Sequence, residues 1–159
     1  MNRKLTAIAV LAAAAAVTLT AVATAGPVAA KQRVAIQFGM NGTYGGAFVL
    51  TPLTAGAVKR DTGTVTFCCW TQRWIMRDGQ EIEINNPQMT LTGKQGTLVA
   101  QNRIGFVDLP DGWAVFTGTW KVVRGTGEYA GLSGGGRGAG VMLANSESKS
   151  AFQGILSAK

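Results

Sequence analysis

Residues 97–123 read TLVAQNRIGFVDLPDGWAVFTGTWKVV, and this stretch decides the fold class. Alternate residues of each half share one largely apolar face: Leu98, Ala100, Asn102, Ile104 and Phe106, then Ala114, Phe116, Gly118, Trp120 and Val122. This alternation is typical of a half-buried β-strand, because successive side chains point to opposite sides of a sheet. The turn sequence Leu109-Pro110-Asp111-Gly112 separates the halves. We therefore predict two antiparallel strands, 97–107 and 113–123.

The same alternation extends outward in both directions. It predicts further strands at 34–38, 48–53, 64–76, 81–84, 89–92, 141–144 and 152–157. Turn sequences separate them, among them Met40-Asn41-Gly42-Thr43, Arg77-Asp78-Gly79-Gln80 and Gly93-Lys94-Gln95-Gly96. Short strands separated by turns at such spacing predict an all-β protein, either a sandwich or a barrel.

The N-terminus has the features of an export signal. A short basic segment, Met1-Asn2-Arg3-Lys4, precedes an uncharged, alanine-rich run over 5–25 that ends in Ala23-Thr24-Ala25. We predict a signal peptide over 1–25, with a second cleavage site after Ala30, and a single β-barrel domain over 26–159. An uncleaved anchor is the alternative, which the small residues of the run disfavour. The alanine-rich leader indicates bacterial export, so we expect a secreted, extracellular protein.

Composition narrows the range of partners. The chain has 15 Lys and Arg against 8 Asp and Glu, a formal net charge of +7. The basic residues form no run or helical stripe, so the sequence does not indicate a nucleic-acid binder. No second apolar segment approaches the length of a membrane span, so we expect no membrane association after signal cleavage.

The residue types argue against most catalytic and metal chemistry. The chain has no histidine, which removes the usual general base and the commonest metal ligand. We predict no metal and no cofactor, we assign no catalytic residue, and we favour a non-enzyme over an enzyme. Glu81 and Glu83 share one face of a predicted strand and Ile82 and Ile84 share the other, so we expect both glutamates to face solvent.

Two adjacent cysteines, Cys68 and Cys69, leave three alternatives open. Neighbouring Cα atoms lie about 3.8 Å apart, below the usual disulfide range of about 4.4–6.8 Å. We therefore favour free, buried thiols over a vicinal disulfide, and place intermolecular disulfides third. A nucleophilic role has little support, because no histidine is present to pair with a thiol.

Several residues are candidates for the lining of a ligand cavity. Trp70 and Trp74 share a face of the predicted strand 64–76. Three alternatives are open for them: packing in the core, a subunit interface, or the aromatic wall of a ligand cavity. Asn102 is one polar residue on an apolar face, where nearby backbone or a ligand satisfies its amide. The candidate lining residues are Trp74, Asn102, Phe106, Phe116 and Trp120.

Residues 118–138 read GTWKVVRGTGEYAGLSGGGRG, the least ordinary segment of the chain. A phosphate site is disfavoured, because no Gly-Lys-Ser/Thr occurs and no helix follows the glycines. We predict that Gly125, Gly127, Gly131 and residues 134–136 serve the fold, as a sharp exit from the preceding strand.

This segment resembles the allene oxide cyclase-like barrel proteins, which include plant dirigent proteins and secreted bacterial proteins. The resemblance implies an antiparallel barrel of about eight strands, often trimeric, with an apolar cavity. Members of that family cyclise an unstable fatty-acid epoxide or steer radical coupling without a redox cofactor. The cyclase's catalytic residues do not map onto this chain, so the resemblance implies a fold and not an activity. Residues 42–44, 48–51 and 63–65 are more weakly similar to avidin-like barrels.

Three functions follow as hypotheses. The first is a barrel that binds a small apolar or aromatic ligand without chemistry, with a homotrimer or a homodimer as the candidate oligomer. The second is a cofactor-free cyclase or isomerase acting on a hydrophobic substrate. The third is a structural or interaction barrel whose interior is filled.

Overall fold

The computed structural model describes residues 30–42 and 44–158, so the predicted signal peptide lies outside the described residues. Ten strands follow one another: β1 (Lys31–Asn41), β2 (Gly45–Pro52), β3 (Asp61–Cys68), β4 (Gln72–Arg77), β5 (Gln80–Asn85), β6 (Gln88–Gly93), β7 (Gly96–Asp108), β8 (Ala114–Gly125), β9 (Leu132–Met142) and β10 (Glu147–Ala158). Single 3-10 turns occur at Pro110–Gly112 and Gly127–Tyr129. This part of the chain contains no helix with the length and hydropathy of a transmembrane segment.

Eight of the strands form a closed antiparallel barrel. Their order around the barrel is β7-β6-β3-β2-β1-β10-β9-β8, and pairing of β7 with β8 closes the ring. The predicted fold class, an all-β antiparallel barrel of about eight strands, is confirmed. Most successive strands are neighbours, so alternate turns lie at the same end of the barrel.

The predicted long strand 64–76 is wrong, because the chain bends within it. β3 ends at Cys68 and β4 begins at Gln72, and Cys69 between them has a positive φ of 57°. Opposite this bend, the neighbouring part of the sheet is also interrupted, between β5 and β6. Pro87 lies at that interruption and has no N–H to donate to an adjacent strand. β4 and β5 therefore form a separate hairpin over residues 72–85, here called the rim hairpin.

The rim hairpin continues one wall of the barrel beyond its end. β5 pairs with the last third of β7, placing Glu83 opposite Phe106 and Asn85 opposite Ile104. The hairpin reverses at Asp78-Gly79, where φ is 52° and 78°. Positive φ at both central residues is typical of the tight hairpin turn that the Asp-Gly pair predicted.

β9 corrects the prediction of a strand confined to 141–144, since it begins at Leu132 and includes the glycine run 134–136. At two of its inward positions, the rings of neighbouring strands occupy the space of a side chain. A Cβ at Gly138 would overlap the ring of Phe152, and a Cβ at Gly140 would overlap that of Phe116. The run 134–136 therefore lies within a strand and not at the predicted sharp exit, whereas Gly127 and Gly131, both with positive φ, lie in the turn between β8 and β9.

One end of the barrel is closed by side chains. Gln32, at the start of β1, donates from Nε2 to the carbonyls of Thr54 (3.0 Å) and Val58 (2.8 Å). Its Oε1 accepts from the N–H of Val58 (2.8 Å), so the β2–β3 loop is held across the barrel end. Tyr129, fully buried beside this loop, donates from its hydroxyl to Asp61 Oδ2 (2.8 Å). We call this the closed end.

Asp61 is the most strongly hydrogen-bonded acidic side chain in the described residues. Besides Tyr129, it accepts from the main-chain N–H groups of Thr62, Lys94 and Gln95. Burial alone would raise the pKa of Asp61, but these four hydrogen bonds outweigh it and hold the pKa below its ordinary 3.8. Burial, together with the adjacent Asp61, raises the pKa of Tyr129.

Candidate ligand-binding cavity

The opposite end of the barrel, here called the open end, contains a cavity of about 370 Å³. The β1–β2, β7–β8 and β9–β10 turns and the rim hairpin surround it. Its aromatic lining comes from four strands and the bend between β3 and β4: Phe38, Phe67, Trp70, Phe106 and Phe116. Its polar lining is Gln72, Glu83, Asn85, Ser146 and Ser148. An apolar cavity with a few placed polar groups is typical of a ligand site.

The aromatic wall is built from cross-strand neighbours. Phe106 on β7 lies directly opposite Phe116 on β8, and their ring centroids are 5.0 Å apart. Across the cavity, Phe38 contacts Phe67 with a centroid distance of 5.7 Å. Both distances lie in the range at which aromatic pairs stabilise each other, so the wall is ordered by its own packing.

The bend before the rim hairpin places another aromatic pair at the cavity mouth. Trp70 lies in the bend and stacks on Tyr44 of the β1–β2 turn, with centroids 5.0 Å apart and an interplanar angle of 23°. Cys68 and Cys69 form a vicinal disulfide at this bend, and both residues are exposed. The favoured interpretation as free, buried thiols therefore does not describe them.

Glu83 corrects the expectation that both glutamates of β5 face solvent. Glu81 is exposed, but Glu83 is half-buried and lines the cavity. The two share a face of β5, and the bend at the barrel end turns the inner part of that face toward the cavity. Asn85 Nδ2 donates to Glu83 Oε1 over 2.7 Å and holds the carboxylate in place.

Two buried oxygen atoms deeper in the barrel have no hydrogen-bond partner within the described residues: Asn102 Oδ1 and Ser150 Oγ. Asn102, 2 % exposed, donates from its main-chain N–H (2.9 Å) and from Nδ2 (3.4 Å) to the carbonyl of Pro87. Nearby backbone thus satisfies only the donor side of the amide. A buried acceptor without a hydrogen bond costs about 1–3 kcal/mol of stability. The barrel interior therefore contains two polar atoms that lack a hydrogen-bond donor within the described residues.

The structure brings together only part of the predicted lining set. Phe106 and Phe116 line the cavity. Trp74, on β4, is 49 % exposed and lies outside the lining. Asn102 and Trp120 are buried and do not line the cavity, and Trp120 Nε1 donates to the carbonyl of Gln153 (3.3 Å).

Sequence reasoning missed several residues of the cavity, among them Phe38, Phe67, Glu83 and Asn85. Trp70, for which an aromatic cavity wall was one of the alternatives, does line the cavity. Phe38 and Phe67 stand on predicted strands, so their aromatic character was a usable signal. The sequence alone does not pair those strands with β7 and β8. The bend that brings Trp70 and Glu83 to the cavity mouth is likewise not indicated by the sequence pattern, apart from Cys69 and Pro87, which stand at the two interruptions.

The arrangement defines a class of protein: a closed eight-stranded antiparallel barrel with one closed end and an aromatic cavity at the other. Within residues 30–42 and 44–158, no group of His, Cys, Asp or Glu side chains is placed to hold a metal ion. Comparison with known proteins finds no family, no curated protein and no solved structure that the chain matches. The resemblance to allene oxide cyclase-like barrels therefore stays a prediction.

Proposed function

We propose that the protein binds a small apolar or aromatic ligand in the cavity at the open end, without chemical conversion. The observation that carries the proposal is the aromatic cavity of about 370 Å³. Its volume falls in the usual range for ligand pockets, roughly 300–1,000 Å³. An unfilled volume of this size favours binding over the alternative of a barrel with a filled interior. In line with the predicted signal peptide, we propose that this binding occurs outside the cytoplasm.

The groups at the cavity favour binding over catalysis. Glu83 is the one carboxylate that lines it, and the chain has no histidine to serve as a second acid or base. Asn85 and the serines are weak proton donors and acceptors. A cofactor-free cyclase or isomerase would have to act by shaping its substrate alone, and no contact in the cavity specifically favours that alternative.

Titration of the purified protein with the neutral dye N-phenyl-naphthylamine tests the proposal, with dye fluorescence as the readout. We expect saturable binding and a Phe106→Ala variant that binds about five- to tenfold more weakly, because it loses one aromatic wall. Val115→Ala is the matched control, since Val115 is exposed on the outer face of β8. Thermal melting of each variant shows that it is folded.

Two results would contradict the proposal. One is the absence of saturable dye binding to the folded wild-type protein. The other is binding that Phe106→Ala leaves unchanged, which would place the dye outside the cavity. Release of a chemically altered compound after incubation with a candidate ligand would instead favour the cyclase or isomerase alternative.

A further inference from the structure

We infer that the cavity selects ligands that combine an aromatic or apolar body with a positively charged amine. This inference rests on the proposed function and names the chemical class of the ligand. It is drawn from the charge of the lining, from the distribution of charge between the two barrel ends, and from the aromatic faces beside the one charged group of the lining.

Among the residues that the structure describes, the lining has one negative charge and no positive one. Glu83 contributes the carboxylate, and none of these lining residues is lysine or arginine. Asn85 donates one amide N–H to Glu83 Oε1, which leaves the other carboxylate oxygen, Oε2, available to accept. An ammonium group binds such an oxygen more strongly than a neutral donor does, because hydrogen bonds between opposite charges are about twice as strong as neutral ones. A ligand carboxylate would instead be repelled.

Charge outside the lining acts in the same direction. Outside the lining, five acidic residues belong to the open end: Asp78, Glu81, Asp108, Asp111 and Glu147. Of these, Asp78 is paired with Arg77, with Oδ2 4.0 Å from Nε. The closed end has a basic set: Lys31, Arg33, Lys59, Arg60, Lys94 and Arg124. The resulting field attracts cations to the cavity mouth and repels anions from it.

The basic residues nearest the open end point away from the cavity. Arg73 and Arg77 alternate on β4 with Gln72, which lines the cavity, so they occupy the opposite face of that strand. Lys149 stands between the buried Ser148 and Ser150 on β10 and therefore faces outward. None of the three neutralises Glu83 from within the cavity.

The aromatic wall supplies a second attraction for a cation. Phe106 lies directly opposite Glu83 in the strand pairing, and Phe116 lies beside Phe106. An ammonium group next to the Glu83 carboxylate is therefore near aromatic rings whose faces attract cations. The apolar body of the ligand fills the remainder of the cavity among Phe38, Phe67 and Trp70.

Three compounds that share an indole-ethyl group test the charge selection: tryptamine is a cation, tryptophol is neutral and indolepropionate is an anion at neutral pH. Isothermal titration of the purified full chain measures each affinity at low ionic strength. We expect tryptamine to bind about tenfold more tightly than tryptophol, and indolepropionate to bind most weakly. Added salt should weaken tryptamine binding and leave tryptophol binding almost unchanged.

Glu83→Gln identifies the group responsible, and Glu81→Gln is its matched control. Both variants remove one negative charge from the same face of β5, but only Glu83 lines the cavity. Glutamine at 83 keeps an oxygen that accepts from Asn85, so the fold of β5 is preserved. We expect Glu83→Gln to abolish the preference for tryptamine over tryptophol, and Glu81→Gln to change it less than about twofold.

The outcomes separate this inference from the proposed function. If tryptophol and the neutral dye bind but tryptamine binds no more tightly, the ligand is a neutral compound and the charge selection is wrong. The same conclusion follows if Glu83→Gln keeps the wild-type preference. If neither the dye nor any indole compound binds the folded protein, the proposed function is wrong and the inference fails with it.

Discussion

Replacing Tyr129 by phenylalanine removes one hydroxyl group from the closed end of the barrel. That hydroxyl donates to Asp61 Oδ2 over 2.8 Å, and both side chains are buried. Hydrogen bonds to charged groups stabilise a fold by about 1.5–3 kcal/mol. We expect Tyr129→Phe to lower the free energy of unfolding by about 2 kcal/mol near neutral pH. For a domain of this size that corresponds to a melting temperature lower by roughly 5–10 °C.

The pH dependence of this loss follows from the two pKa shifts. Asp61 has a folded-state pKa below its ordinary 3.8, so its stabilising effect is fully present above that value and is lost as the pH falls through the folded-state pKa. Tyr129 has a pKa raised above its ordinary 10.0, so its effect is present below that value and is lost as the pH rises further. Tyr129→Phe should remove the alkaline loss of stability that this phenol causes.

Urea unfolding of both proteins, near neutral pH and at a series of acid pH values, measures the effect. Below the folded-state pKa of Asp61 the carboxyl group is protonated and the hydrogen bond is between neutral groups, so the cost of Tyr129→Phe should fall to about 1 kcal/mol or less there. Tyr44→Phe is the control, because Tyr44 is exposed and should cost less than about 0.5 kcal/mol. A cost of Tyr129→Phe near neutral pH no larger than that of a hydrogen bond between neutral groups, about 1 kcal/mol, would refute a charge-assisted hydrogen bond at the closed end.

Two further predictions concern glycines. Gly127 and Gly131 both have positive φ, but a Cβ would overlap the Gln95 carbonyl oxygen only at Gly127. Gly127→Val should therefore lower the melting temperature more than Gly131→Val, which has only a conformational cost of about 1–2 kcal/mol. Equal decreases in melting temperature for the two variants would contradict the close contact at Gly127. Gly138→Ala should destabilise the fold by about 1–3 kcal/mol in urea unfolding, and Phe152→Leu in the same chain should partly restore stability. A wild-type unfolding curve for Gly138→Ala would disprove the packing of Phe152 on β9.

The walls of the barrel were predictable because period-two alternation is a local signal. Leu98 and Ile104 on β7, and Phe116 and Trp120 on β8, lie on the buried faces that the alternation indicated. Phe106 and Phe116 were found as lining residues for the same reason, since they stand where these faces reach the open end. Closure of the sheet into a barrel depends on pairing of distant strands, which the alternation does not encode.

The extent of β9 was not predictable from the same signal. Its inward positions are glycines, so the strand shows no apolar alternation and the run 134–136 has the composition of a turn. What makes these residues a strand lies elsewhere in the chain. The rings of Phe116 and Phe152 take the space beside Gly140 and Gly138, and main-chain carbonyls of β8 and β10 lie where Cβ atoms of residues 134–136 would stand. A glycine run beside aromatic strands can therefore be a packing surface as well as a corner.

Glu83 shows how far a strand pattern can assign a site. The alternation correctly placed Glu81 and Glu83 on one face of β5, opposite Ile82 and Ile84. It could not tell whether that face meets solvent or a cavity, because the answer depends on the bend at Cys69 and the break at Pro87. Glu81 lies beyond the bend on the exposed part of the hairpin, whereas Glu83 lies where the hairpin joins the barrel wall.

The distribution of charge between the two barrel ends also depends on the order in which the strands pair. Along the sequence, acidic and basic residues are scattered, and the basic residues form no run or stripe. Because most strands pair with their neighbours in the chain, alternate turns gather at one end of the barrel. Acidic residues occupy the β7–β8 turn, the rim hairpin and the start of β10, and the basic residues of those strands, Arg73, Arg77 and Lys149, point away from the cavity. Basic residues occupy the β2–β3 loop and the β6–β7 turn. Charges that alternate along the chain are thus separated between the two ends, and the negative set surrounds the cavity.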